Sequence, residues 1–132
     1  EFQGTRDISA FLCTPKVIDF LEENNWKTKA KDCRNLVLSN YKRFCDLLGS
    51  KPICPINEDF LVQMASVPVK TSDPVGLKEL LFKTYKIEIP VMSLNGNYFI
   101  RYSINAYNSQ EDLDVLYNAL QDIIATTVLI EV

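Results

Sequence analysis

The sequence predicts an α+β domain in which helices pack on one face of a small antiparallel sheet of about three strands. Three observations lead to this fold class. Apolar residues recur at helical spacing in two stretches before residue 50 and again after residue 109. Asn95 and Gly96 lie between two β-prone segments, and this pair is the strongest short signal for a hairpin. The predicted order is two helices, a strand, a helix, a hairpin and a final helix, which is typical of an α+β domain.

The chain has 132 residues, and we expect residues 1–132 to form a single domain. A chain of this length can bury roughly two-thirds of the surface that its unfolded form exposes. The net charge of −3 provides no basic surface for nucleic acid or for anionic lipid. No apolar run is long enough to span a bilayer, and the acidic N-terminus does not have the pattern of a signal peptide. We therefore expect a cytoplasmic protein with neither nucleic acid nor membrane as a partner.

Cysteine and histidine usage narrows the possible chemistry. Cys13, Cys33, Cys45 and Cys54 form no Cys-x-x-Cys pair, and reduced thiols are the expectation for such a chain. The chain has no histidine, which excludes Ser-His-Asp and Cys-His arrangements and imidazole metal ligands. We therefore predict no metal site and no catalytic residue here, and any chemistry would depend on a bound group.

The N-terminal elements are predicted from their caps and apolar stripes. Asp7 can cap a short helical turn, and Pro15 suits the first turn of a second helix. A longer helix fits residues 26–48, and Gly49 stands where a left-handed C-terminal cap belongs. The apolar stripe of the second helix consists of Val17, Ile18, Phe20 and Leu21, and that of the third consists of Ala30, Cys33, Val37, Tyr41, Phe44 and Leu48.

The middle of the chain contains a connector, a strand and a helix. Two prolines in residues 50–57 are incompatible with a continuous helix. Residues 60–69 are predicted to form a strand. Asp73 and Pro74 supply an N-cap carboxylate and an N1 proline for the next helix. The residues of this helix that should face inward are Leu77, Leu80, Leu81 and Tyr85.

The last part of the chain predicts a hairpin followed by a helix. Asn95 and Gly96 would form a type I′ turn between residues 87–94 and residues 97–107. Ser109 and Asp112 have the spacing of a capping box, which opens the final helix. The β-prone tail, residues 125–132, has no assigned role. By the two-residue period of a strand, one face carries Tyr98, Ile100, Tyr102, Ile104 and Ala106, and the other carries Phe99, Arg101, Ser103, Asn105 and Tyr107.

Arg101 is the principal candidate for a binding residue. Its guanidinium offers a planar fork of donors that matches a carboxylate, and Phe99, Ser103 and Asn105 would surround it on the same face. The alternative is an ordinary surface arginine on the solvent side of an antiparallel sheet.

Gly4 and Thr5 form a second candidate. Backbone N–H groups and a hydroxyl ahead of a short helix can hold a phosphate. The alternative interpretation is ordinary loop and cap chemistry. We interpret the carboxylates of Glu111, Asp112 and Asp114 as charge that favours a helix N-terminus.

Three segments together resemble the C-terminal part of the class V aminotransferase superfamily, which are pyridoxal-phosphate enzymes of fold type I. These segments are QGTRDISAFL, DPVGLKELLF and YKIEIPVMSLNGNYFIRYSINAYNSQEDLDVLYNAL. The resemblance implies that the chain is the C-terminal small domain of such an enzyme. It implies that Arg101 binds the α-carboxylate of an amino-acid substrate. It also implies that Thr5, beside Gly4, reaches the cofactor phosphate of the partner subunit.

The resemblance also implies what this sequence lacks. The family's large domain, with its Schiff-base lysine, has no counterpart here. We therefore expect a fragment of a longer homodimeric enzyme, which would not by itself bind pyridoxal phosphate covalently. Its partners would be the missing large domain, a second subunit and an amino acid.

The branch within the superfamily is indicated by the hairpin. Members of the cysteine desulfurase branch carry a nucleophilic cysteine just before the arginine strand, whereas this chain reads VMSLNGNYFIR. The segment is more similar to the isopenicillin N epimerase-like branch. An alternative from another class is a non-catalytic, ferredoxin-like regulatory module in which Arg101 binds a small-molecule effector.

Overall fold

The structure is a computed structural model that describes Gly4 and residues 7–132. No helix in these described residues is long and apolar enough to cross a membrane. The elements are α1 (Ser9–Leu12), α2 (Thr14–Glu23), α3 (Trp26–Leu47), β1 (Met64–Val69), α4 (Pro74–Lys83), β2 (Val91–Leu94), β3 (Asn97–Ser103) and α5 (Gln110–Thr126).

The three strands form one antiparallel sheet in the order β1-β3-β2. Helices cover only one of its faces. Val67 and Ile100, which are paired across β1 and β3, are buried beneath α3, α4 and α5 within one apolar core. Arg101, the next residue of β3, is only partly buried and points to the other face because side chains alternate along a strand. The predicted fold class is confirmed.

The longest helix, α3, begins and ends as predicted, and most of its predicted stripe is buried. Its C-terminus is a Schellman motif, in which Ser50 N–H donates to the Cys45 carbonyl and Gly49 N–H donates to the Asp46 carbonyl. Gly49 has a φ of +57°, which glycine adopts without strain. The buried members of the stripe are Cys33, Val37, Tyr41, Phe44 and Leu48.

The predicted caps of α4 and α5 are also present. The Asp73 carboxylate accepts a hydrogen bond of 2.8 Å from Gly76 N–H, and Pro74 lies in the first turn of α4. The Asp112 carboxylate accepts a bond of 2.9 Å from Ser109 N–H, which completes the capping box of α5. The hairpin turn has positive φ at both Asn95 and Gly96, as a type I′ turn requires.

The helices α1 and α2 contain no buried residue. The apolar stripe predicted for α2 therefore exists, but most of it faces solvent. Val17, Ile18 and Phe20 are each more than half exposed. Since an amphipathic helix is normally stabilised by burial of its apolar face, α2 presents a surface suited to cover by another polypeptide.

Three predicted strand boundaries are wrong. Residues 60–63 lie outside β1, because Phe60 and Leu61 N–H both bond to the Asn57 carbonyl and form a turn. The first hairpin strand begins at Val91, since Pro90 has no N–H to contribute to a ladder.

The second hairpin strand ends at Ser103, after which Asn108 N–H bonds to the Asn105 carbonyl in a turn. This turn moves Ala106 off the pattern of the strand. Ala106 was predicted to lie on the core face and is instead exposed.

The tail packs against the sheet. Ile130 is buried, and Glu131 N–H bonds to the Lys70 carbonyl in an isolated antiparallel bridge. This bridge lies on the outer edge of β1, because the alternate residues of β1 bond to β3. Val132 then lies against Gly49 at the end of α3.

Gly49→Ala should destabilise the domain for two separable reasons. The left-handed φ of +57° costs a non-glycine residue about 1–2 kcal/mol. The new Cβ would also lie 3.0 Å from Val132 Cγ1, so the tail must shift, at up to about 1 kcal/mol more. Gly96→Ala is the matched control. Gly96 also has a positive φ, of +78°, but a Cβ there would meet no atom outside its chain neighbours within 4 Å.

Urea unfolding of the single variants and of the Gly49→Ala, Val132→Ala pair measures both contributions. Val132→Ala should bring the loss at Gly49 down to that at Gly96. The loss of unfolding free energy caused by Gly49→Ala would then be measured relative to Val132→Ala alone. If this loss equals the loss in wild type, the tail does not pack against α3.

Candidate functional site

The candidate site is the uncovered face of the sheet, with Arg101 at its centre. In β1 the residue opposite Arg101 is Ser66. On the other side, Arg101 N–H donates to the Pro90 carbonyl at 3.1 Å. Side chains of directly paired residues share a face, so Ser66, Arg101 and Pro90 form one row across the open face.

The guanidinium has an unsatisfied buried donor. Arg101 Nε is inaccessible to solvent and has no hydrogen-bond partner. Among the described residues no carboxylate lies within ion-pair distance of Arg101. A buried charged donor without an acceptor is unfavourable by roughly 1–3 kcal/mol, and such groups are rare in folded proteins. The described residues therefore supply no acceptor for this donor of Arg101.

Arg101 lines a cavity of about 220 Å³ that Leu113 and Leu116 of α5 also line, so the cavity extends beyond the open face. The other polar residues at this cavity are Glu88, Tyr102, Ser103, Asn108 and Asp112. The Asp112 carboxylate is already engaged, because it accepts hydrogen bonds from Ser109 N–H and from Asn108 Nδ2. The cavity thus combines one arginine with neutral polar groups and one further carboxylate.

An apolar surface lies on the open face near Arg101. Met92 and Phe99 are paired across β2 and β3, and with Ile53 and Leu94 they line a second cavity of about 250 Å³. Apolar side chains continue onto the connector that follows α3. The exposed members are Ile53, Ile56, Phe60, Val62, Met64 and Leu94. A patch of this kind around a polar centre is characteristic of a binding or docking surface.

Tyr41 holds the connector against the sheet. Its hydroxyl donates to the Ser66 carbonyl at 3.1 Å and accepts from Ile53 N–H at 3.2 Å. Burial raises the pKa of the Tyr41 hydroxyl, so it remains a neutral donor at ordinary pH. The residue thereby caps the outer edge of β1 and places Ile53 on the open face.

The second predicted candidate is not assembled with the first. Thr5 lies outside the described residues. Gly4 is exposed and has a φ of +87°, and a Cβ built on it would meet no atom of the described residues within 4 Å. The phosphate contact of Gly4 and Thr5 stays a prediction, as does the carboxylate contact of Arg101.

The remaining candidates have structural surroundings. Cys13, Cys33, Cys45 and Cys54 are free, and two of them are buried in the core. Asp114 accepts hydrogen bonds from Arg43 and Gln110, which lower its pKa. No group of three or more metal-ligating side chains occurs in the described part of the chain.

The sequence did not predict that Glu88 and Asn108 would lie at the site, nor that the connector would contact the sheet. Glu88 stands between Ile87 and Ile89, outside the paired part of β2. Asn108 enters through a turn that the strand pattern hid. No local signal predicts the contact of Ile53 with the sheet, because it depends on Tyr41 in a distant helix.

Comparison with known proteins gives two informative similarities. The chain is 25% identical over 124 residues to an isopenicillin N epimerase of Amycolatopsis lactamdurans, a match that covers 93% of this chain and 31% of that protein. It is 28% identical over 121 residues to an isopenicillin N epimerase of Streptomyces clavuligerus, covering 91% of this chain and 30% of that protein. No family model matches the sequence. The chain spans about a third of the length of these curated relatives.

Tyr41→Phe should destabilise the domain by about 1–3 kcal/mol, the range for leaving buried polar groups unpaired. The change removes the hydroxyl that joins Ile53 N–H to the Ser66 carbonyl. Urea unfolding measures the loss, and amide exchange at Ile53 should accelerate.

Tyr98→Phe is the control, because Tyr98 is half-buried and its hydroxyl has no hydrogen-bond partner among the described residues. Its effect should stay within about 0.5 kcal/mol. Equal effects of the two changes would contradict a role for Tyr41 in holding the connector.

Proposed function

We propose that this chain is the C-terminal part of a longer pyridoxal-phosphate enzyme of the class V aminotransferase type. Within that superfamily the isopenicillin N epimerase-like branch fits best, and the substrate would be an amino acid. The observation that supports this proposal most directly is the orphaned buried Nε of Arg101 on an open sheet face. The similarity to two isopenicillin N epimerases supports the choice of branch.

The proposed role of Arg101 is to bind the substrate's α-carboxylate. A carboxylate could accept from two guanidinium donors of Arg101 together, which is the strong paired geometry. The main-chain bond from Arg101 to Pro90 fixes the base of the side chain. The substrate would thus be oriented by a group mounted on the central strand.

The cofactor would be held mainly by the rest of the longer protein. When bound, pyridoxal phosphate supplies an electron sink for charge at the α-carbon. From this chain we propose only the Thr5 hydroxyl and the adjacent Gly4 backbone as a contact to its phosphate, across a homodimer interface. From the described residues we propose only the carboxylate anchor.

The exposed apolar surfaces are consistent with such a longer protein. The connector patch and the exposed stripe of α2 would be covered by the large domain or by a second subunit. The relatives extend well beyond the matched region, since the match covers 31% and 30% of their lengths. In that setting the open face becomes the wall of a closed site, where exclusion of water strengthens the contact to a carboxylate.

A ferredoxin-like effector-binding module is the second candidate. The strand order β1-β3-β2, with Glu131 bridged to the outer edge of β1, resembles the order of a split βαβ fold. Because fold alone does not determine function, this order favours neither candidate over the other. In a module, the isolated chain would bind its carboxylate ligand without any cofactor-bearing domain.

Arg101→Lys should weaken carboxylate binding by keeping the charge and losing the paired geometry, and Arg101→Gln should weaken it further. The expected total loss is roughly 1.5–3 kcal/mol, the range for a hydrogen bond to a charged group. The test uses the longer protein, loaded with pyridoxal phosphate, and the twenty standard amino acids as free acids and as amides. Steady-state turnover and the shift of the visible cofactor absorbance report binding.

Arg34→Gln is the matched control, because Arg34 also has an unpartnered buried Nε but lies on α3. It should leave acid and amide binding unchanged, and cofactor affinity should be nearly equal in all variants. The wild-type protein should bind the amide less tightly than the acid. In Arg101→Gln the two affinities should be nearly equal. Equal treatment of acid and amide by wild type would refute the role of Arg101. Tight effector binding by the 132-residue chain alone would favour the module.

A further inference from the structure

A second charged group lies near Arg101. Arg101 N–H bonds to the Pro90 carbonyl, and Glu88 lies two residues before Pro90, outside the paired part of β2. Ile89 is in the core and Glu88 is exposed.

Glu88 and Arg101 line the same cavity of about 220 Å³. Nevertheless the two charges do not pair in this structure. No ion pair or side-chain hydrogen bond within the described residues involves the Glu88 carboxylate.

Other candidates for the role of counter-charge are already occupied. Asp112, the other carboxylate at the cavity, serves the capping box of α5 and also binds Asn108. Ser103 and Asn108 are neutral. The cavity thus contains one unpaired anion, Glu88, and one unpaired cation, Arg101.

We infer that Glu88 binds a cationic group of the same ligand whose carboxylate binds Arg101. The ligand class is then an amino acid, or an amino-acid conjugate, that carries a positively charged side chain. This inference rests on the proposed function of Arg101 and adds the specificity for the side chain. A lysine or ornithine side chain carries its ammonium group several bonds away from the α-carboxylate, so the two groups can contact different side chains of one cavity.

The alternative is an internal latch, in which Glu88 competes with the ligand for Arg101. The structure favours the first arrangement, because a latch would close an ion pair when no ligand is bound. The two arrangements predict opposite signs for removal of the Glu88 charge. A latch predicts tighter binding of every carboxylate after Glu88→Gln.

The experiment uses the longer protein of which this chain is the proposed C-terminal part, loaded with pyridoxal phosphate, and two probes, Nα-acetyl-L-lysine and Nα-acetyl-L-norleucine. Acetylation removes the charge of the α-nitrogen, so the probes differ only in the side-chain ammonium. The Arg101 Nε–Hε resonance, followed by NMR during titration, reports binding at the site. Wild type should bind the lysine probe about two- to fivefold more tightly, the range for a solvent-exposed ion pair.

Glu88→Gln should abolish this preference and leave the affinity for the norleucine probe unchanged. Glu79→Gln is the matched control, since it removes one negative charge from α4 and should retain the preference. A preference that survives Glu88→Gln would overturn the inference. Tighter binding of both probes by Glu88→Gln would also overturn it and would establish the latch.

The same titration separates this inference from the proposed function. The amide of the norleucine probe should shift the Arg101 resonance less than the acid does. If acid and amide act alike, the proposed role of Arg101 fails, and the inference fails with it. If the acid is preferred but the lysine and norleucine probes bind equally, only the inference about Glu88 fails.

Discussion

The pairing register of β3 is the constraint on which the candidate site depends. Because side chains alternate with a period of two, a slip by one residue would bury Arg101 and expose Ile100. Three features hold the register in place. The positive φ angles of Asn95 and Gly96 fix β3 against β2, the row of Val67 and Ile100 buries one face, and Pro90 ends the ladder. The position of a single arginine thus follows from turn chemistry and core packing together.

The sequence predicted those parts of the fold that rest on local signals. The Asn95 and Gly96 turn, the Asp73 cap, the capping box at Ser109 and the glycine after α3 each satisfy backbone groups within a few residues. Such hydrogen bonds can be predicted from a pattern of four to six residues. The fold class followed, because the order of elements and their apolar periods leave few ways to bury one face of the sheet.

The errors arose where distant residues decide the outcome. The strand predicted over residues 60–69 loses its first four residues to a turn at Asn57, and the second hairpin strand yields to a turn between Asn105 and Asn108. Both segments contain β-prone residues, so propensity alone extends the strands too far. For the candidate site, the alternation of side chains along β3 predicted the face on which Arg101 lies. It did not predict that Arg101 Nε would be buried without a partner, because that depends on how the surrounding side chains pack.

The open face of the sheet and the stripe of α2 both leave large apolar side chains exposed to solvent. Burial of apolar surface is the main stabilising contribution in folding, yet Phe20, Ile53 and Leu94 remain largely exposed. The core beneath the sheet is nevertheless continuous, so the domain is stabilised without these residues. The sheet therefore separates two tasks. Its covered face stabilises the fold, and its open face leaves apolar side chains exposed near Arg101. Once these side chains are covered, the local dielectric constant would fall and the contacts of Arg101 would strengthen.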